Sequence, residues 1–154
     1  TLFAPGIVDI YKSIAESYGV ATKYIPIEIT ESLALANKKI KPIADSFINA
    51  GFELQMDDFG SGESALNGLN MMHFTVVKLD KSLIDFIGQK NGDLILNYAM
   101  ALGKELGVQL VAEGVENINQ LAFLRKNNCD VIQGYYFSKP LPLDEFEAKI
   151  DSNL

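Results

Sequence analysis

Only one cysteine, Cys129, and one histidine, His73, occur in the 154 residues. An intrachain disulfide is therefore impossible, and so is a zinc site built on clustered Cys or His. A chain without disulfides suits a reducing compartment, so the expected location is the cytoplasm. Cations are scarce too: 13 basic residues face 20 acidic ones, for a formal charge of −7. That balance excludes a nonspecific grip on DNA or RNA, which needs a basic face. Long apolar runs are missing as well. The stretch from Leu106 to Ala112 is broken by Gly107 and Gln109, well short of the roughly 20 apolar residues of a membrane helix. No internal repeat, low-complexity tract or linker interrupts the chain.

What is present is hydrophobic content of 48%, enough to bury a core. An acidic chain can still handle phosphates, because grouped carboxylates hold divalent cations and the cations hold phosphate. Short apolar runs alternate with longer helical patterns, the signature of strand-helix units around a parallel sheet. The pattern predicts strands at Tyr24 to Ile29, Phe52 to Met56, Phe74 to Leu79, Gln109 to Ala112 and Asp130 to Ile132. Helices are expected at Ile7 to Tyr18, Ser32 to Asn49, Glu63 to Met72, Asp93 to Leu106, Asn119 to Asn127 and Leu143 to Ile150. Pro42 is a candidate break in the second of these. Gly19, Gly51 and Gly107 sit where three helices should stop. The fold class is α/β, with about five parallel strands, too few to close an eight-stranded barrel.

The informative polar residues fall at strand ends. Glu28 interrupts the apolar Ile27-Glu28-Ile29, Asp57-Asp58 closes the second strand, Lys78 and Asp80 close the third, and Glu113 closes the fourth. Gln133 ends the fifth. In strand-helix barrels the carboxyl ends of the strands form the active-site face, so these side chains should converge. Carboxylates so gathered repel one another unless cations are present. Oxygen donors without Cys or His favour Mg²⁺ or Mn²⁺. Two such ions can activate a water and stabilise charge on a phosphodiester.

Each residue alone has a plainer explanation. Glu28 could pair with a lysine at a rim, Asp57 to Gly60 could be a turn, and Lys78 could neutralise Asp80. A sequence of four successive strand ends is harder to explain that way. His73 reads as part of a turn, and Cys129 as packing. Tyr135, Tyr136 and Phe137 offer aromatic faces to a base but are by default packing residues.

The segments Glu28-Ile29-Thr30-Glu31-Ser32, Asp57-Asp58-Phe59-Gly60-Ser61-Gly62, Val77-Lys78-Leu79-Asp80, Val111-Ala112-Glu113-Gly114-Val115-Glu116 and Gln133-Gly134-Tyr135-Tyr136-Phe137-Ser138-Lys139-Pro140 resemble, in order and spacing, the motifs of the EAL-domain family. The resemblance covers nearly the whole chain. It implies a partial TIM-like (β/α) barrel of the EAL type, whose active members open cyclic di-GMP to a linear dinucleotide with two Mg²⁺ or Mn²⁺ ions. Carried over, Glu28 and Asp57 hold the first metal, and Asp57 bridges to a second held by Asp58 and Glu113. Lys78 orients the attacking water, and Asp80 and Gln133 lie beside the substrate or in the water network. Glu31 anchors a loop that starts near Ser61 and Gly62. That loop links metal binding to dimerisation in the family, so a homodimer is the expected assembly.

The family's Glu-Ala-Leu strand and the next strand, with its metal-binding Asn, lie upstream of Thr1. The expectation is therefore that the 154 residues are the C-terminal part of a single EAL domain, fused upstream to GGDEF or sensory domains and inactive or weakly active alone. Glu63 stands where the family usually has an aromatic residue, which bears on the loop, and His73 replaces a frequent proline. The competing expectation is a degenerate EAL domain that binds cyclic di-GMP, or a protein partner, without cleaving it.

Overall fold

The structure, a computed structural model, describes residues 2–36, 39–61 and 72–151. The elements run α1 (Ile7–Ser17), β1 (Ile27–Thr30), α2 (Glu31–Ala36), α3 (Ile40–Asn49), β2 (Leu54–Phe59) and β3 (Val76–Leu79). After them come α4 (Lys81–Ile84), α5 (Lys90–Leu106), β4 (Gln109–Ala112), α6 (Ile118–Lys126), β5 (Val131–Ile132) and α7 (Leu143–Asp151). The five strands form one sheet in chain order, and every pairing is parallel. This is the repeated strand-helix architecture that the alternating pattern called for.

The core lies on one face of the sheet. Side chains alternate across a strand, and Ile27, Ile29, Leu54, Met56, Val77, Leu79, Leu110 and Ala112 all join a single buried cluster with Ala44, Phe47, Leu96, Met100 and Leu124 of the helices. The register keeps these residues level, with Ile29 opposite Met56 and Leu79 opposite Ala112. Burying each large aliphatic or aromatic side chain contributes about 1.5–3 kcal/mol, so a one-residue slip of any strand would turn the whole set outward. Tyr11, Phe47 and Phe52 pack edge to face, with centroids 5.4–6.5 Å apart, and tie α1 and α3 to the start of β2.

Several boundaries differ from the sequence reading: β1 begins at Ile27 rather than Tyr24, which ends a short 3-10 turn (Thr22–Tyr24), β3 begins at Val76 rather than Phe74, and α5 at Lys90 rather than Asp93. The expected helix from Ser32 to Asn49 is two helices, and Pro42 sits in the first turn of α3, where its missing N–H has no helical acceptor to lose. The strand expected to stop at Met56 continues to Phe59. Helix α4 was not foreseen, because four residues are too few to show a period. The helix expected over Glu63 to Met72 lies, but for Met72, outside the described residues. Gly19, Gly51 and Gly107 take φ of 66°, 85° and 69° at the helix ends, the left-handed stop that glycine adopts cheaply.

Candidate active site

The alternation that buries Ile27, Met56, Val77 and Ala112 sends Glu28, Asp57, Lys78 and Glu113 to the opposite face. The parallel register then brings them to one end of the sheet, at the carboxyl ends of β1 to β4. Lys78 stands at the centre. Its Nζ lies 2.8 Å from Glu28 Oε1, 3.0 Å from Asp57 Oδ1 and 3.0 Å from Glu113 Oε1, and its side chain is 12% exposed. Burial pulls the lysine pKa down, but the attraction of Glu28, Glu113 and Asp57 outweighs it and holds the ammonium above its ordinary value.

Asp58 reaches this rim by a distortion. Strict alternation would turn it toward the core, but β2 shifts register between Met56 and Phe59, and Asp58 takes a left-handed φ of 57°. A bulge of this kind re-aims a side chain next to a site. Burial first, and then the neighbouring charges of Asp57 and Asp80, push its carboxyl above the usual range.

Asp80 caps α4, its Oδ1 accepting the Ser82 amide at 2.9 Å. Burial raises its pKa, but the hydrogen bonds from Ser82 outweigh that and leave it lowered. Glu31, 2% exposed, accepts the Gly60 amide at 3.1 Å. The Ser61 amide donates to the Asp58 carbonyl at 3.1 Å, while Gly62 and Glu63 lie outside the described residues. Gln133 is placed by its backbone, which donates to Ala112 and accepts from Val115. It borders a groove of about 820 Å³ lined also by Tyr135, Phe137, Lys139 and Phe146.

Sequence reasoning missed the bracing of the Glu113 loop. Lys81 Nζ pairs with Asp85 at 2.8 Å and Glu116 at 3.2 Å. Gln120, 6% exposed, accepts the amides of Glu116 and Asn117 at 2.8 and 3.2 Å. Its amide group donates to Ile84 and Asp85 of the α4 segment, each at 3.5 Å. Gly114 has a φ of 68°, and a Cβ there would stand 2.6 Å from Lys81 Cγ, so the loop closes on Lys81 only with glycine. The spacing Asn117-x-x-Gln120 is a capping-box signal, and it was legible.

Four carboxylates without a soft donor suit a hard divalent cation. Asp57 Oδ1 is buried without a hydrogen-bond partner. It contacts the Lys78 ammonium at 3.0 Å, and a carboxylate oxygen has a second lone pair that a metal would use. The residues therefore fit such an ion in their chemistry. Their present arrangement is closed on the ammonium: among the described residues no trio of His, Cys, Asp or Glu is gathered to ligate one.

The EAL domain family model matches residues 1–140. The chain is 37% identical over 143 residues to the cyclic di-GMP phosphodiesterase NbdA of Pseudomonas aeruginosa, an alignment covering 92% of this chain and 18% of NbdA. It thus spans under a fifth of that relative. The crystal structure of the EAL domain of DcpA from Mycobacterium smegmatis matches with a TM-score of 0.90 at 29% identity, covering 98% of this chain and 69% of that one. A manganese and cyclic di-GMP complex of BlrP1 from Klebsiella pneumoniae matches with a TM-score of 0.86 at 27% identity, covering 90% of this chain and 36% of that one.

Proposed function

Because the chain belongs to the EAL domain family, we propose that its acidic bowl serves the metal-dependent hydrolysis of cyclic di-GMP to the linear dinucleotide. The observation that carries this reading is the meeting of Glu28, Asp57 and Glu113, from three strand ends, within 3.0 Å of one ammonium. Cyclic di-GMP is what NbdA is named for cleaving and what BlrP1 was solved with.

In this reading Glu28, Asp57, Asp58 and Glu113 would hold Mg²⁺ or Mn²⁺. Ions bound there supply an activated water and offset charge on the phosphodiester. Lys78, held protonated by its neighbours, turns N–H donors toward the water and the phosphate oxygens. Asp80 and Gln133 order the water and substrate at the rim, and Glu31, through Gly60, holds the turn at Ser61. Tyr135 and Phe137, 58% and 46% exposed, offer faces to a guanine. The family's remaining metal ligands, on the Glu-Ala-Leu strand and its successor, come from outside these residues, which act as the C-terminal part of one domain. A homodimer is part of the proposal, and Leu94, Ile95 and Tyr98, exposed at 54%, 54% and 70% on α5, are its contact. The cytoplasm, where a cyclic dinucleotide messenger acts, is the proposed location.

A second reading is a degenerate domain that binds cyclic di-GMP, or a protein partner, without cleaving it. Incubation of the chain, extended upstream by the family's first strands, with cyclic di-GMP and Mn²⁺ or Mg²⁺ separates the two. Chromatography should show a linear dinucleotide that disappears on chelation. Binding without metal-dependent product would overturn the hydrolase and leave the second reading.

A further inference from the structure

We propose that Lys78 is the resident cation of the bowl, and that divalent ions load by exchange, taking Glu28, Asp57 and Glu113 from the ammonium. The proposal rests on the site reading above and adds a second role for a residue otherwise assigned to the water.

The geometry makes the two cations mutually exclusive at this point. Nζ lies within 3.0 Å of one oxygen from each of the three carboxylates. A Mg²⁺ ion needs such oxygens at about 2.0–2.1 Å. An ion among the same oxygens would sit against the ammonium, where two positive charges repel steeply at low local dielectric. Loading therefore requires Nζ to move. The lysine stem permits this, because its four flexible carbons let Nζ swing toward the rim while the strand stays fixed.

Exchange sets two effects of opposite sign on one side chain. Without metal, the ammonium offsets the repulsion among Glu28, Asp57, Asp58 and Glu113, so it stabilises the fold. With metal, the same contacts must first be broken, so it lowers the apparent affinity. A lysine out of contact with these carboxylates would do neither to a comparable extent.

The test is Mn²⁺ titration of the chain and of Lys78→Met by calorimetry, with thermal unfolding in Mn²⁺ and in chelator. Exchange predicts that Lys78→Met melts lower than wild type in chelator, binds Mn²⁺ at least about tenfold more tightly and gains more in melting temperature from Mn²⁺. Lys78→Gln keeps a hydrogen-bond donor without the charge and should also bind more tightly, which covers failure of Lys78→Met to fold. Mn²⁺ affinity equal to or below wild type in both folded variants, or in Lys78→Gln alone if Lys78→Met does not fold, overturns the exchange. Absent cleavage of cyclic di-GMP by the extended chain, with tighter Mn²⁺ binding in the variants, would overturn the hydrolase reading and leave the exchange standing.

Discussion

Glu31 and Gly60 are joined across 29 residues by a 3.1 Å hydrogen bond from the Gly60 amide to a carboxylate that is 2% exposed. The bond ties the start of α2 to the turn that follows Asp57 and Asp58, so the position of both acids depends on a side chain from the neighbouring strand-helix unit. Truncation leaves a half-buried amide without its partner, at a cost of up to about 1–3 kcal/mol. Glu31→Ala should therefore unfold at lower urea and bind Mn²⁺ more weakly, whereas Glu31→Gln, still an acceptor, should lie between it and wild type. Unchanged urea midpoints and Mn²⁺ titrations for Glu31→Ala would show the bond to be idle.

The acids at the strand ends were legible because the strand period is two. Once Ile27, Met56, Val77 and Ala112 are assigned to a core, Glu28, Asp57, Lys78 and Glu113 must share the other face. Asp58 was placed at the rim from its neighbours, but the reason it arrives there was not legible. A bulge with a left-handed φ is a tertiary compromise between β2 and β3, and Asp58 itself carries no signal of it. The closure on Lys78 was also out of reach. Which of several nearby anions a lysine approaches is fixed by distances across three strands, and sequence spacing does not encode those.

Gln120 joins two strand-end segments that sequence spacing keeps apart. It accepts the amides of Glu116 and Asn117 and donates toward Ile84 and Asp85. Gln120→Ala removes half of the capping box, and loss of a cap costs about 0.5–2 kcal/mol. Gln120→Glu keeps the acceptor but faces Asp85 with a like charge, so it should recover only part of the loss. Thermal unfolding of the three forms checks this order, and an alanine variant as stable as wild type would refute the brace.

Asp80 makes stability depend on acid. Its folded pKa is lowered, so folding favours the ionised form. The stabilisation is present above the unfolded carboxylate value of about 3.9 and is lost as pH falls through the lowered folded value. Asn caps a helix as well as Asp does but cannot titrate. Asp80→Asn should thus match wild type in urea at pH 7 and lose less stability below pH 4. Parallel acid slopes for the two proteins would mean that another group carries the dependence.

The exposed edge of α5 gives the last measurable consequence. Tyr98 stands one helical turn from Leu94 and Ile95, all three exposed, while Leu96, Met100 and Gly103 of the same helix are buried. Apolar side chains on one face at this spacing form a stripe that a second helix can cover. Because the inner face carries the packing, Leu94→Asp combined with Tyr98→Asp should leave monomer stability nearly unchanged, within about 0.5 kcal/mol per surface substitution. Two charges in the stripe would nevertheless prevent burial of the contact. Sedimentation of the upstream-extended chain should show a dimer that the double variant converts to monomer. A dimer of equal strength in the variant would remove α5 from the interface, and a wild-type monomer at all concentrations would remove the dimer itself.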